Sequence, residues 1–122
     1  MTTLTESTHA GEFLVSEANG TLSRDVVTIV SGAGVISAGM VLGKITASGK
    51  YSPYDDDNAD GTETAACIAF DEVDATSTDV NVTAIFRDAE VKLSALQWAA
   101  TNDATDKANG LADLAAKNII AR

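Results

Sequence analysis

A chain of 122 residues fits one domain, and folding it buries about two-thirds of the surface that the unfolded chain exposes. With 45% hydrophobic residues it is too apolar for general disorder, and with 5% aromatics its core must come mostly from Val, Ile, Leu and Ala. A net charge of −10, from 18 acidic and 8 basic residues, excludes the Lys/Arg clusters that nucleic-acid binding needs and repels anionic lipid.

Residues 1 to 11, MTTLTESTHAG, are polar and Thr-rich, which predicts a flexible N-terminal arm. The only histidine, His9, lies in this arm, where no fixed geometry holds it near a serine or Cys67 for nucleophilic catalysis. No apolar segment follows a basic start, and no apolar run approaches the roughly 18 residues of a membrane span. Synthesis in the cytosol and no membrane partner are therefore expected. Phe13, Leu14 and Val15 follow, between Glu12 and Glu17. They read either as the first strand of the domain or as an extended segment that adds to a partner's sheet edge. Asn19-Gly20 marks a tight turn, because this pair adopts positive φ readily.

From Thr21 the chain reads as β. Val26 to Val30 are all β-compatible and end at Gly32 and Gly34. The short segments VIS, MVLGKITA and KYSPY follow, each bounded by Gly or Ser, with Pro53 expected at a strand end or edge. Such spacing predicts a compact barrel or sandwich-like β domain rather than a parallel α/β sheet.

The polar stretch Asp55 to Thr64 reads as a hairpin tip. Within it Asp56, Asn58, Asp60 and Gly61 match the first, third, fifth and sixth positions of a calcium loop, where alternate oxygen ligands wrap a hard cation. The match breaks at the twelfth position, which is Cys67 instead of a bidentate Glu, and the flanks read as strands. Cys67 lies in the apolar run AACIAF and reads as a small buried hydrophobe; as the single cysteine it forms no intramolecular disulfide.

Val80, Val82, Ala84 and Phe86 alternate as in a strand. EVKLSALQW fits either helix or strand, and Trp98 suits either a core position or an oligomer contact. The last segment reads as a helix. Asp103 is its N-cap, Asp106 favours its first turn, and Ala108, Leu111, Ala112 and Ala115 form an apolar face. Asn118 suits a left-handed C-terminal position, and Ile119-Ile120 read as a short strand or plug.

Catalytic readings find little support. A glycosidase needs aromatic sugar platforms beside its paired carboxylates. Ser37 stands where a dinucleotide fingerprint needs its third glycine. A biotinyl-type carrier needs a lysine at a tight hairpin tip; Lys44 lies in mid-segment and Lys50 lacks the Met-Lys-Met context. No cofactor is expected.

SAGMVLGKITASGKYSPY, the acidic DDDNADGTETAACIAF, EVKLSALQW and the closing LADLAAKNIIAR occur in this order, and over roughly residues 12 to 122 the chain resembles the head decoration proteins of lambda-like tailed phages. Ala99 follows Trp98 where members often have proline. The resemblance implies a mainly β (α+β) fold: a compact small β-barrel or β-tulip-like domain over 16–122, with a short C-terminal helix and a flexible capsid-contacting arm over 1–15. It implies a homotrimeric cement protein with no enzymatic role. Such a protein sits on the virion's outer capsid surface, binds the major capsid protein at three-fold positions and stabilises the expanded head. Glu12, Phe13, Leu14 and Val15 would be the pairing strand. The competing classes are a calcium-dependent extracellular binding module using the Asp55-Gly61 loop, with Asp56, Asn58 and Asp60 as ligands, and a small acidic enzyme.

Overall fold

The computed structural model describes residues 9–122. In chain order it contains β1 (Leu14–Glu17), β2 (Arg24–Ile29), β3 (Gly34–Ile36), β4 (Val41–Lys44), β5 (Tyr51–Pro53) and β6 (Ala65–Ala69). Then come β7 (Val73–Ala75), β8 (Val80–Ile85), β9 (Ala89–Val91), a 3-10 turn at Leu93–Ala95, α1 (Ala104–Ala115) and β10 (Ile119–Ala121). The expected arm falls outside the described residues for positions 1–8.

Five strands close a barrel in the order β2-β5-β4-β6-β8, with β2 and β8 paired antiparallel along their full length from Arg24↔Ile85 to Ile29↔Val80. The period-two geometry of strands decides which side chains enter it: Val27 and Ile29 from β2 and, as the alternation in its sequence indicates, Val82 and Ala84 from β8 point inward, while Val26 is left 67% exposed. Leu42, Tyr51, Cys67 and Ala69 complete the filling, and Ile36 and Ala75, from the paired β3 and β7, join the same cluster. Apart from Tyr51, small and branched side chains suffice because a barrel of five strands encloses little volume.

A second core lies on the outer side of the barrel. Val41, Ile68 and Ile85 face outward from β4, β6 and β8 and are covered by Phe13, Val91, Leu96, Leu114 and Ile119. The cover is a three-stranded sheet in the order β1-β9-β10 together with α1. EVKLSALQW thus divides its ambiguity: its first residues form β9 and its middle forms the 3-10 turn.

Helix α1 begins as its sequence indicates. The Asp103 carboxylate accepts from Asp106 N at 2.9 Å and the Asp106 carboxylate accepts from Asp103 N at 3.1 Å, a reciprocal capping box. Asn118 takes φ 62°, and Ile119 to Ala121 then run parallel to β9. The buried face differs from the expected one. Asp106, Gly110 and Leu114 face inward with Leu111 partly covered, whereas Ala108, Ala112 and Ala115 are exposed. Alanine is too small to dictate a face. Gly110 allows the helix to seat where a Cβ would lie 2.9 Å from the Trp98 ring and 3.0 Å from the Tyr54 ring.

The stretch from Asp55 to Thr64 is not a hairpin tip. Its flanking strands, β5 and β6, do not pair with each other; both pair with β4, so the loop crosses over β4. The crossing point is Gly43, where a Cβ would lie 2.6 Å from Thr62 Cα and 2.8 Å from its carbonyl oxygen. Thr62 is fully buried, Asp55 N donates to its carbonyl at 3.1 Å, and Thr46 N donates to the Asp60 carbonyl at 2.9 Å.

Two outcomes are expected. Gly43→Ala forces backbone against backbone at this crossing and should cost about 3 kcal/mol in denaturant unfolding. The thiol of Cys67, with burial pushing its pKa far up, should resist thiol reagents in the native protein and react once the chain is unfolded.

Candidate functional site

Strand β1 is one of the two outer strands of its sheet, β10 being the other. One edge pairs antiparallel with β9, Leu14 opposite Val91, Ser16 opposite Glu90 and Glu17 opposite Ala89, with an irregularity between Leu14 and Ser16. The other edge has no strand beside it among the described residues. An open edge of this kind presents backbone donors and acceptors that an added strand completes.

The segment leading into that edge is held firmly at its inner side. Phe13 is 1% exposed and meets Phe70 edge-to-face at 6.4 Å between ring centres. Gly11 N donates to the Phe70 carbonyl at 3.1 Å and Lys92 N donates to the Phe13 carbonyl at 2.7 Å. Gly11 has φ +69°, and a Cβ there would lie 2.9 Å from the Phe70 ring. Glycine is therefore required at this entry for both its backbone angle and its lack of a side chain.

At the far end Glu17 accepts two hydrogen bonds from Arg24, from Nε at 3.0 Å and from Nη2 at 2.7 Å. The same guanidinium lies over the Phe70 ring at 4.2 Å. The hydrogen bonds from Arg24 hold the Glu17 carboxyl below its ordinary range, outweighing the opposing effect of burial. Ser16 Oγ donates to Glu90 at 3.1 Å, and Glu90 in turn pairs with Arg122 at 2.9 Å.

The expected pairing residues thus divide. Phe13 belongs to the core, Leu14 is half-buried against it, and Glu12 and Val15 are exposed, Val15 by 59%. The Glu12 carboxylate accepts from His9 N at 3.0 Å. Arg24, Glu17 and Phe70 were not singled out in the sequence. Glu17 and Arg24 flank the Asn19-Gly20 turn, a local signal for their pairing, whereas Phe70 lies far along the chain from the strand it supports.

Trp98 is half-buried and packs inside the chain, edge-to-face with Tyr54 at 6.0 Å. The Tyr54 hydroxyl donates to the Asp106 carbonyl at 2.7 Å, and burial pushes its pKa far up. Asp103 N–H favours the Asp106 carboxylate, yet burial and the charges of Asp103, Asp57 and Asp56 outweigh it and raise the Asp106 pKa.

The residues with calcium-loop spacing bond to protein groups, Asn58 and Asp60 both to Thr62 and Asp56 to the helix. Asp56 accepts from Asn109 Nδ2 at 3.3 Å, Asn58 Nδ2 donates to Thr62 Oγ1 at 2.9 Å, and Asp60 accepts from Thr62 N at 3.1 Å. Among the described residues no group of three or more His, Cys, Asp or Glu is arranged to hold a metal ion. A shallow groove of about 410 Å³ beside β2 is lined by Thr21, Arg24, Asp25, Val26 and Thr83. No helix among the described residues is long and apolar enough to cross a membrane.

The Glu17–Arg24 pair makes a signed prediction. A carboxyl with a folded-state pKa below its unfolded value stabilises the fold above the unfolded pKa and loses that effect as pH falls through the folded value. Glu17→Gln should therefore lower thermal stability at neutral pH and make the acid-side decline shallower. Melting curves of the two proteins across the acidic range measure both effects.

A search of curated proteins finds no match. A family model does match: Bacteriophage lambda head decoration protein D, over residues 3–119, nearly the whole chain. The mainly β fold, with its closed barrel and single short C-terminal helix, is the one that the resemblance implies. The chain belongs to the bacteriophage lambda head decoration protein D family, a structural family whose place is the phage capsid.

Proposed function

We propose that this protein is a trimeric cement protein. It binds the outer surface of the expanded head at three-fold positions and stabilises it against internal genome pressure. The observation that carries the reading is the open edge of β1, at the end of a segment that enters it from residue 9 onward. An extended strand of the major capsid protein placed along that edge gains backbone hydrogen bonds, with Glu12 and Val15 exposed to select it. Residues 1 to 15 carry the capsid contact, anchored by Phe13 in the core, and 16–122 supply the rest of the body. The acidic charge of −10 suits an outer surface and disfavours the genome side.

A ligand that binds the expanded lattice and not its precursor shifts the balance toward the expanded state by its difference in affinity. Three copies held in one body raise the effective concentration of each contact, so that individually weak edges suffice. The half-exposed ring of Trp98 offers an aromatic surface to a neighbouring copy.

The test is saturable binding to expanded capsids lacking decoration, followed by sedimentation and light scattering. Removing residues 1–8 and, separately, Val15→Asp should each weaken binding by tenfold or more, about 1.4 kcal/mol. The Val15→Asp change should leave the melting temperature within the small range expected of an exposed substitution. A deletion reaching Ser16 is a poorer test, since it removes Phe13 from the core. Unchanged binding in both variants contradicts the assignment of this edge.

A further inference from the structure

Three places in the described chain have the dipeptide that cyclises most readily: Asn19-Gly20, Asp60-Gly61 and Asn109-Gly110. In such a pair the glycine nitrogen, unhindered by a Cβ on its own residue, attacks the preceding side-chain Cγ. For asparagine the new N–Cγ bond forms, the glycine nitrogen gives up its proton and the side-chain nitrogen leaves as ammonia. Water then opens the five-membered imide at either carbonyl and leaves aspartate or isoaspartate. The reaction needs a free glycine N–H, a backbone able to bring it to Cγ, and solvent.

The fold withholds these conditions at two of the three places. Asn109 and Gly110 lie inside α1, where the helical ladder engages the backbone and directs the Gly110 N–H along the axis. Gly110 is buried against Trp98 and Tyr54, and Asn109 Nδ2 donates to Asp56 at 3.3 Å. At Asp60 the carboxylate accepts from Thr62 N at 3.1 Å and from the Thr62 hydroxyl, which holds it ionised and therefore unreactive. The Gly61 N–H is also committed, donating to Glu63 at 2.7 Å.

Asn19-Gly20 is open. Both residues are exposed, in the turn between β1 and β2. Gly20 has φ +71° with nothing within 4 Å of where a Cβ would stand, and neither residue forms a hydrogen bond among the described residues. We propose that Asn19 is a site of spontaneous deamidation in the folded protein, and that the fold protects the other two pairs. The product places one more negative charge in the turn. In its isoaspartyl form it also adds a methylene to the backbone next to Ala18, whose N–H donates to Asp88 O and Ser23 Oγ, both at 3.1 Å. This inference is independent of the capsid reading.

The test is incubation of the full chain at mildly alkaline pH, folded and in denaturant, followed by peptide mapping by mass spectrometry. In the folded protein Asn19 should convert at least about tenfold faster than Asn109, because Asn109 must wait for local opening of the helix. In denaturant the two should convert at similar rates. Asn19→Gln should remove the acidic species that accumulates on isoelectric focusing of the aged native protein. An Asn19 that converts only in denaturant, or an Asn109 that keeps pace with it in the folded protein, overturns the proposal.

Discussion

The structure depends on covering one outer face of the barrel. A closed five-stranded barrel satisfies its own backbone and fills its own interior, yet here Val41, Ile68 and Ile85 project outward as apolar side chains. Left in water they would cost about 1.5–3 kcal/mol each relative to burial. Segments from the two ends of the chain converge to cover them: Phe13 from the N-terminal segment, and from the C-terminal third β9 with the turn after it and α1 with β10. The family's short C-terminal helix is part of this cover.

That constraint also positions the proposed binding edge. With Phe13 fixed in the second core and β1 bonded to β9, the strand's inner side is committed and its outer edge is presented in a fixed register. The bidentate Glu17–Arg24 contact and the stacking of Arg24 on Phe70 close the far end. A strand held this way presents its edge with little ordering left to do on binding, which favours affinity. It also connects the edge directly to the core, so that load on the edge reaches the body of the domain without passing through a loose linker.

Much of this was legible in the sequence, and what was not has identifiable causes. The β-compatible run Val26 to Val30 and the alternation from Val80 to Phe86 reveal the strands, and Asp103, Asp106 and Asn118 reveal the helix ends, because these signals act within a few residues. The stretch Asp55 to Thr64 has the local sequence of a hairpin tip although it crosses β4, since the close approach of Gly43 to Thr62 is a contact between segments and leaves no local trace. The inward face of α1 differs from the one its alanines mark for a related reason: the decisive residue is Gly110, whose value lies in the side chain it lacks. In the candidate site the sequence pointed to Phe13 through Val15 with two roles open. The strand role now stands in the structure for Leu14–Glu17, while the partner of the free edge belongs to the proposal.

The most direct measurement is hydrogen exchange of the protein free and bound to expanded capsids. Pairing at the free edge of β1 predicts that amides within residues 9–17 gain the largest protection on binding, while those of β9 and β10 change little. Protection gained instead on the outer face of β2 and β8 or in the Asp55 to Thr64 crossing, with residues 9–17 unchanged, would contradict the account.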